Sequence, residues 1–339
     1  MRTASKSLIL SLALSSAGLG CGRVGGLAGA LPGDDAVSIN VPGSQRAQSS
    51  STAQGLLGDT SEFYVHTYRI SRFLNAHVVG LLAHLRAITN NRPTSTEGDV
   101  STWGPHTPGG LEPLTYRLTA TKVAEHKYTL NLEARPKASS AEEDFVTLLD
   151  GEVEGSGQED GRGKGILSLH FDNARAINPT VRERGNIHVS FDATTEPRSV
   201  AVDFEQFAGA EEDAVPASAT YRYNEAQDAS GSFLFSVLAN VHKASEAKPG
   251  LEKMTLKSRW VASGEGRGDV TVEGDEVAAQ LVEAGLTAQS VQATECWGAD
   301  FNVVFQDTLP AELAEHIRPT QGDAAACAVA QAEFPASQL

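Results

Sequence analysis

The sequence predicts an α+β chain that is mainly antiparallel β, with one long N-terminal helix packed on a curved multi-stranded antiparallel sheet or half-barrel. Three observations predict it. Apolar residues recur at helical spacing over residues 60–90, they alternate with polar residues at period two from Leu114 to Phe305, and Gly-rich turn signals separate the alternating runs.

The chain begins with a processing segment. Met1–Lys6 is short and basic, Leu8–Leu14 is apolar, and Ser15–Gly20 is small, which is the order of a secretory signal peptide over residues 1–20. The apolar run is far shorter than the ~20 residues needed to span a bilayer, and no later segment approaches that length. Residues 22–58 are rich in Gly, Ser, Ala and Gln, so residues 21–58 are expected to form a flexible tether with an end-to-end distance of about 35 Å. The remainder, 59–339, is expected to fold as a single β-rich domain.

Asp59-Thr60-Ser61-Glu62 reads as a helix start, with an acidic N-cap and Glu62 three residues on. Phe63, Ile70, Leu74, Val78, Leu81, Leu85 and Ile88 follow at spacings of three, four and seven, and Asn90-Asn91-Arg92-Pro93 ends the run. From there the period is two: Tyr128/Leu130/Leu132/Ala134, Leu167/Leu169/Phe171, Ile187/Val189/Phe191, Val200/Val202/Phe204 and Phe301/Val303/Phe305 each face one way between polar neighbours. Such alternation marks antiparallel strands that are wet on one side. Short helices are expected over 275–284 and 310–318.

Charge and cysteines narrow the function classes. The formal net charge is −16, and loss of Arg2 and Lys6 with the signal would leave −18. Such a surface repels phosphate backbones, so nucleic acid is not an expected partner. Cys296 and Cys327 are 31 positions apart, and in an oxidising compartment they are expected to bridge.

The chemistry-bearing residue types do not assemble into a catalytic or metal pattern. His77 and His84 are two helical turns apart and are no chelating pair. His170 and His188 fall on the outward faces of their strands, where they become neighbours if those strands pair. Gly155-Ser156-Gly157 is a turn without a nucleophile elbow. Gly161-Arg162-Gly163-Lys164-Gly165 lacks the Lys-Ser/Thr ending and the following helix of a phosphate-binding loop. Glu142-Glu143-Asp144 and Glu211-Glu212-Asp213 lack the alternating ligands of a calcium loop and read as solvated loop charge. No enzyme, cofactor or metal site is therefore expected. Trp103, Trp260 and Trp297 are read as core plugs at strand ends, with the lining of a cavity mouth as the alternative.

Two resemblances follow from these residues. Ala17-Gly18-Leu19-Gly20-Cys21 resembles the lipobox of bacterial lipoproteins, which implies acylation of Cys21 and a membrane anchor. Gly18 stands where the usual leucine would be, and ordinary secretion with cleavage after Ala30 is the alternative. Gly22 in place of aspartate after the cysteine points to the outer membrane of the cell envelope. One helix ahead of a meander over residues 60–306 resembles the half-barrel carriers of the bacterial envelope, LolA, LolB and LppX-like proteins. Thr102-Trp103-Gly104-Pro105, Tyr116-Arg117-Leu118-Thr119, Leu132–Lys137, Lys257-Ser258-Arg259-Trp260 and Glu295-Cys296-Trp297 resemble lipoproteins abundant in myxobacteria, a class whose membership implies export and a β-fold. The functional expectation is a non-enzymatic structural or interaction module meeting an envelope protein. The alternative is a carrier of a lipid or acyl chain in a cavity between helix and sheet.

Overall fold

The computed structural model describes residues 26–43, 56–109, 112–158, 161–210, 216–240 and 250–330. The expected signal peptide, Cys21 and the acidic run Glu211-Glu212-Asp213 lie outside the described residues. The described chain is mostly antiparallel sheet, in fifteen strands with few helices. It divides into two compact units, one from residues up to 36 with 79–194 and 204–216, the other from 37–78, 195–203 and the residues from 217 onward.

In the first unit the strands are β1 (Ser95–Glu97), β2 (Val100–His106), β3 (Leu114–Ala124), β4 (Lys127–Pro136), β5 (Val146–Gly155), β6 (Gly163–His170) and β7 (Arg184–Asp192). Each pairs antiparallel with the next in the chain. The inward positions are the apolar ones: Leu130, Leu149, Val153, Leu167, Val189 and Phe191 are all buried. One end of this core is closed by Leu114, Tyr116, Ala134 and Leu148, against which Ala174 and Ile177 pack. Those two residues belong to a helix, α4 (Phe171–Ile177), where the sequence pattern had Phe171 continuing a strand. Burial, with Glu112 beside the hydroxyl, pushes the Tyr116 phenol above its usual range.

The second unit holds β9 (Ala217–Glu225), β10 (Gly231–Ala239), β11 (Glu252–Trp260), β12 (Gly266–Glu273), β13 (Ser290–Trp297), β14 (Val303–Leu309) and β15 (Gln321–Gly322), again paired in chain order. In chain order β8 (Arg198–Ala208) follows β7, and its last five residues count with the first unit. Trp260 and Trp297 are register partners of Gly231 and Gly266 on the neighbouring strands. The Trp297 ring lies over Gly266, where a Cβ would stand 2.4 Å from the indole. Only glycine leaves room for that ring, and the ring in turn shields the strand's bare backbone. Trp103, Trp260 and Trp297 are all buried, as core plugs are.

The long helix is α3 (Glu62–Thr89), inside the expected span. Its cap is Ser61 rather than Asp59, for the Ser61 hydroxyl accepts from the Tyr64 amide at 3.1 Å. In the second unit Phe63 packs on Leu256 and Ala293, flanked by Ile70, Phe235 and Val270. Tyr64 stacks on Phe301 with ring centroids 4.5 Å apart. Thr67 and Ser258 share a buried hydroxyl–hydroxyl bond of 2.5 Å. The expected helix over 275–284 is α5 (Asp275–Glu283), whereas 310–318 contains one short 3-10 turn, Ala311–Leu313.

The stretch expected as a flexible tether is packed over residues 26–43, which is a correction. It forms α1 (Leu27–Ala30) and α2 (Asp34–Val37). Leu27, Ala30 and Leu31 are buried in the first unit, Val37 and Ile39 in the second. In the first unit α1 lies on a glycine shelf: a Cβ on Gly155 would meet the Ala30 Cα and the Gly29 carbonyl at 2.9 Å. The Gly33 amide donates to the Gly161 carbonyl at 2.7 Å, and Arg86 pairs with Asp34. In the second unit Asn75 binds both backbone groups of Ile39, accepting from its N–H at 2.7 Å and donating to its carbonyl at 2.9 Å. The Asn40 amide donates to the Tyr223 hydroxyl at 3.0 Å, and the Tyr64 hydroxyl donates to the Pro42 carbonyl at 2.8 Å. Five apolar side chains spread thinly among Gly and Ala carry no period, yet each finds a buried seat.

Candidate functional site

The outward face of the first unit's sheet is fixed by register. Asp150, Ser168 and His188 stand side by side on β5, β6 and β7, and His170 stands beside Asn186. Because side chains alternate along a strand, Asp150, Glu152 and Glu154 share that face with Lys164, Ile166, Ser168 and His170 of β6. Asn186, His188, Ser190 and Asp192 extend it on β7.

The polar side chains at its centre are linked in a chain. His170 Nε2 lies 3.1 Å from Asp150 Oδ2, and its Nδ1 lies 3.3 Å from Asn186 Oδ1. Asn186 donates through Nδ2 to Glu205 Oε2 at 3.2 Å, and His188 Nε2 is 3.6 Å from the same carboxylate oxygen. His188 Nδ1 and Ser168 Oγ are 2.9 Å apart. Asp150, at one end of this chain, and Glu205, which links Asn186 to His188 within it, are exposed, with side chains 51% and 65% accessible, while His170 is three-quarters covered. The ladder is flanked by the ion pairs Lys127–Glu152 at 2.7 Å and Lys164–Glu154 at 3.5 Å. Ile166 stands among these polar groups at 59% exposure, the most exposed large apolar side chain of the first unit's strands.

The order Ser168–His188–Glu205 has the residue types of a nucleophile, a base and an orienting carboxylate. Its setting differs from a nucleophilic centre. Ser168 sits within β6, paired on one side with Asp150 and on the other with His188. Acyl transfer needs backbone donors aimed at a developing oxyanion, usually at a sharp turn, and the amides around Ser168 serve the ladder instead. Among the described residues, no three His, Cys, Asp or Glu side chains converge to hold a metal ion.

The other residues singled out in the sequence are dispersed. His77 and His84 each turn Nδ1 onto the carbonyl one helical turn back, Phe73 and Gly80 respectively, both at 2.7 Å. Glu142, from the first acidic run, pairs with Arg117 at 2.6 Å and Arg135 at 3.5 Å, and both guanidiniums lie on the Phe145 ring. Asp269 on β12 is buried and is held by Arg267 at 2.8 Å, so this ion pair is part of the sheet. Cys296 and Cys327 form a disulfide with Cα atoms 5.4 Å apart.

Sequence reasoning placed His170 and His188 outward but missed Asp150, Ser168, Asn186, Glu205 and Ile166 as their company. Their signal is the polar half of the alternating pattern, which becomes a site only once register is known. It also missed Glu295. This carboxylate is fully buried in the second unit, accepts from Ser61 Oγ at 2.6 Å and the Phe63 amide at 3.0 Å, and pairs with Arg318, which also holds Glu62 at 2.6 Å. Among the described residues no helix is long and apolar enough to cross a membrane. Comparisons of the chain with protein-family models, with curated proteins and with solved structures each find no significant match.

Proposed function

We propose that this chain is an exported, lipid-anchored protein of the bacterial cell envelope. In this reading it is a non-enzymatic interaction module, and the outward sheet face of the first unit docks a positively charged envelope protein. The observation that carries the reading is the exposed Ile166 at the centre of a rigid, acidic, hydrogen-bonded face. An apolar anchor ringed by fixed polar groups is the composition of a binding patch, and the −16 net charge favours a cationic partner. The cross-strand register supports rigidity, because Ile166 and Ser168 at its centre are each seated between paired neighbours on β5 and β7.

The reading includes acylation of Cys21, an outer-membrane location and a curved, half-barrel-like sheet along α3. The lipobox-like residues, Gly22 and the packing of Phe63 on β11 and β13 support these parts in turn. The test is binding of the purified chain to an immobilised lysine-rich peptide. Binding that weakens with salt and falls several-fold in Asp150→Asn/Glu205→Gln supports the docking face. Unchanged binding in that variant refutes it. Native mass spectrometry of the same preparation is expected to give the protein mass alone, and a co-purified lipid that leaves on denaturation would replace the reading with a carrier.

A further inference from the structure

We propose that one end of the first unit, built by the β3–β4 turn and the docked residues 26–33, lies directly against the surface of the lipid bilayer. The inference rests on the reading that Cys21 is acylated, and adds which surface of the folded body the anchor draws to the membrane.

The length of chain between anchor and body decides it. Gly26 is already seated: a Cβ there would stand 2.4 Å from the Tyr128 hydroxyl, and Leu27, Ala30 and Leu31, which follow it, are at most 4% exposed. From Cys21 to Gly26 is five residues, which reach no further than about 18 Å when fully extended. A free tether through residue 58 would instead let the body stand off by about 35 Å. The packing of α1 removes that freedom.

The surface beside Gly26 is continuous. Tyr128 begins just past the β3–β4 turn, in which His126 takes a positive φ of 58°. The Gly155 amide donates to the His126 carbonyl at 3.0 Å, and Gly157 lies under the His126 ring. Val123 is half exposed at this end and the Glu125 side chain is 87% accessible. Glu125, His126 and Lys127 give the turn a balanced charge, so its partner is the headgroup layer of a zwitterionic bilayer, held by the acyl chains, with Val123 the apolar side chain nearest to it.

The test uses the full chain, exported and purified with its acyl chains, in phosphatidylcholine vesicles carrying a headgroup spin-labelled lipid. With Cys21 acylated and Cys296 bridged to Cys327, an introduced thiol is the one that takes a fluorophore. One variant is Glu125→Cys at the turn. The other is Ala138→Cys, beyond the far end of β4, about 30 Å away along the strand. The turn label is expected to be quenched at least about threefold more than the distal one, and a 20-residue Gly/Ser insertion between Val24 and Gly25 is expected to abolish the difference. With the acyl mass present on Cys21, equal quenching at both positions, stronger quenching at 138, or a difference that survives the insertion overturns the inference while leaving the anchor reading in place. Absence of the acyl mass overturns both.

Discussion

Replacing Arg318 with methionine should destabilise the second unit more than any surface substitution in it. Glu295 is fully buried, and its carboxylate has three donors: the Ser61 hydroxyl, the Phe63 amide and the Arg318 guanidinium, whose own side chain is 13% exposed. Removing one partner of a buried ion pair costs about 3–5 kcal/mol, because the remaining charge has lost its compensation. Two neutral donors stay behind, which places Arg318→Met near the lower bound, about 3 kcal/mol. Glu295→Gln keeps the volume and one acceptor oxygen, and Arg318 retains Glu62, so its expected cost is smaller, about 1–2 kcal/mol. In the double variant the pairwise contribution is lost only once, and the total should fall short of the sum by about 1–3 kcal/mol. Urea unfolding followed by tryptophan fluorescence reads this directly, since Trp260 and Trp297 are buried in the same unit. Costs below about 1 kcal/mol that add within 0.5 kcal/mol would show that the carboxylate is no buried charge and would refute the reasoning.

Other perturbations have equally definite outcomes. Reducing the Cys296–Cys327 bridge, or replacing both cysteines with alanine, should lower stability by about 4 kcal/mol, the loop-closure value for its separation of 31, and a shift under 1 kcal/mol in urea would contradict it. Alkaline pH should unfold the protein: burial holds the Tyr116, Tyr221 and Tyr223 phenols above their usual value of 10.0. The folded state therefore keeps protons that the unfolded chain gives up. Stability is complete below about pH 10 and is lost as pH rises through the raised values, by up to about 1.4 kcal/mol per pH unit for each phenol. Tyr221→Phe should flatten that decline, and an unchanged slope between pH 10 and 12 would deny Tyr221 a share. Asn75→Ala should free the Ile39 amide, raising its hydrogen-exchange rate by at least tenfold while the amides of β11 stay protected. Ile166→Lys should abolish binding to the lysine-rich peptide, by removing the apolar anchor and adding a like charge, and leave stability within about 0.5 kcal/mol, as expected for an exposed position.

The elements that could be read from the sequence are those whose two faces differ in chemistry. The alternation in β4, β7 and β8 names both the strand and its inward face, and the stripe from Phe63 to Ile88 names α3. Helix α4 was hidden because Leu167, Leu169 and Phe171 keep period two across the end of β6, although Ala174, Ile177 and the stop at Asn178-Pro179 were there to see. Residues 26–43 were hidden by composition, since glycine and alanine dilute the five side chains that dock. The outward ladder was half visible: orientation follows from alternation, but the meeting of Ser168 with His188, and of Glu205 with both His188 and Asn186, depends on register between strands. Glu295 was invisible in principle, because its counter-charge comes from a loop residue that no periodic pattern links to β13.

Adjacent residues of β13 fasten the last part of the described chain by two unlike bonds. Glu295 holds Arg318 through charge, and Cys296, pointing to the other side of the strand, holds Cys327 covalently. Between those fastenings the chain folds over the margin of β14, where Gln321 and Gly322 pair with Gln306 and Phe305 and the Arg318 and Pro319 carbonyls accept from Thr308 and Gln306. The stretch is thereby a hem on the sheet, covering backbone groups that would otherwise be open to another chain. Dissolving either fastening alone leaves the hem attached at one end, so self-association through β14 should emerge only when substitution of Arg318 and a reductant act together.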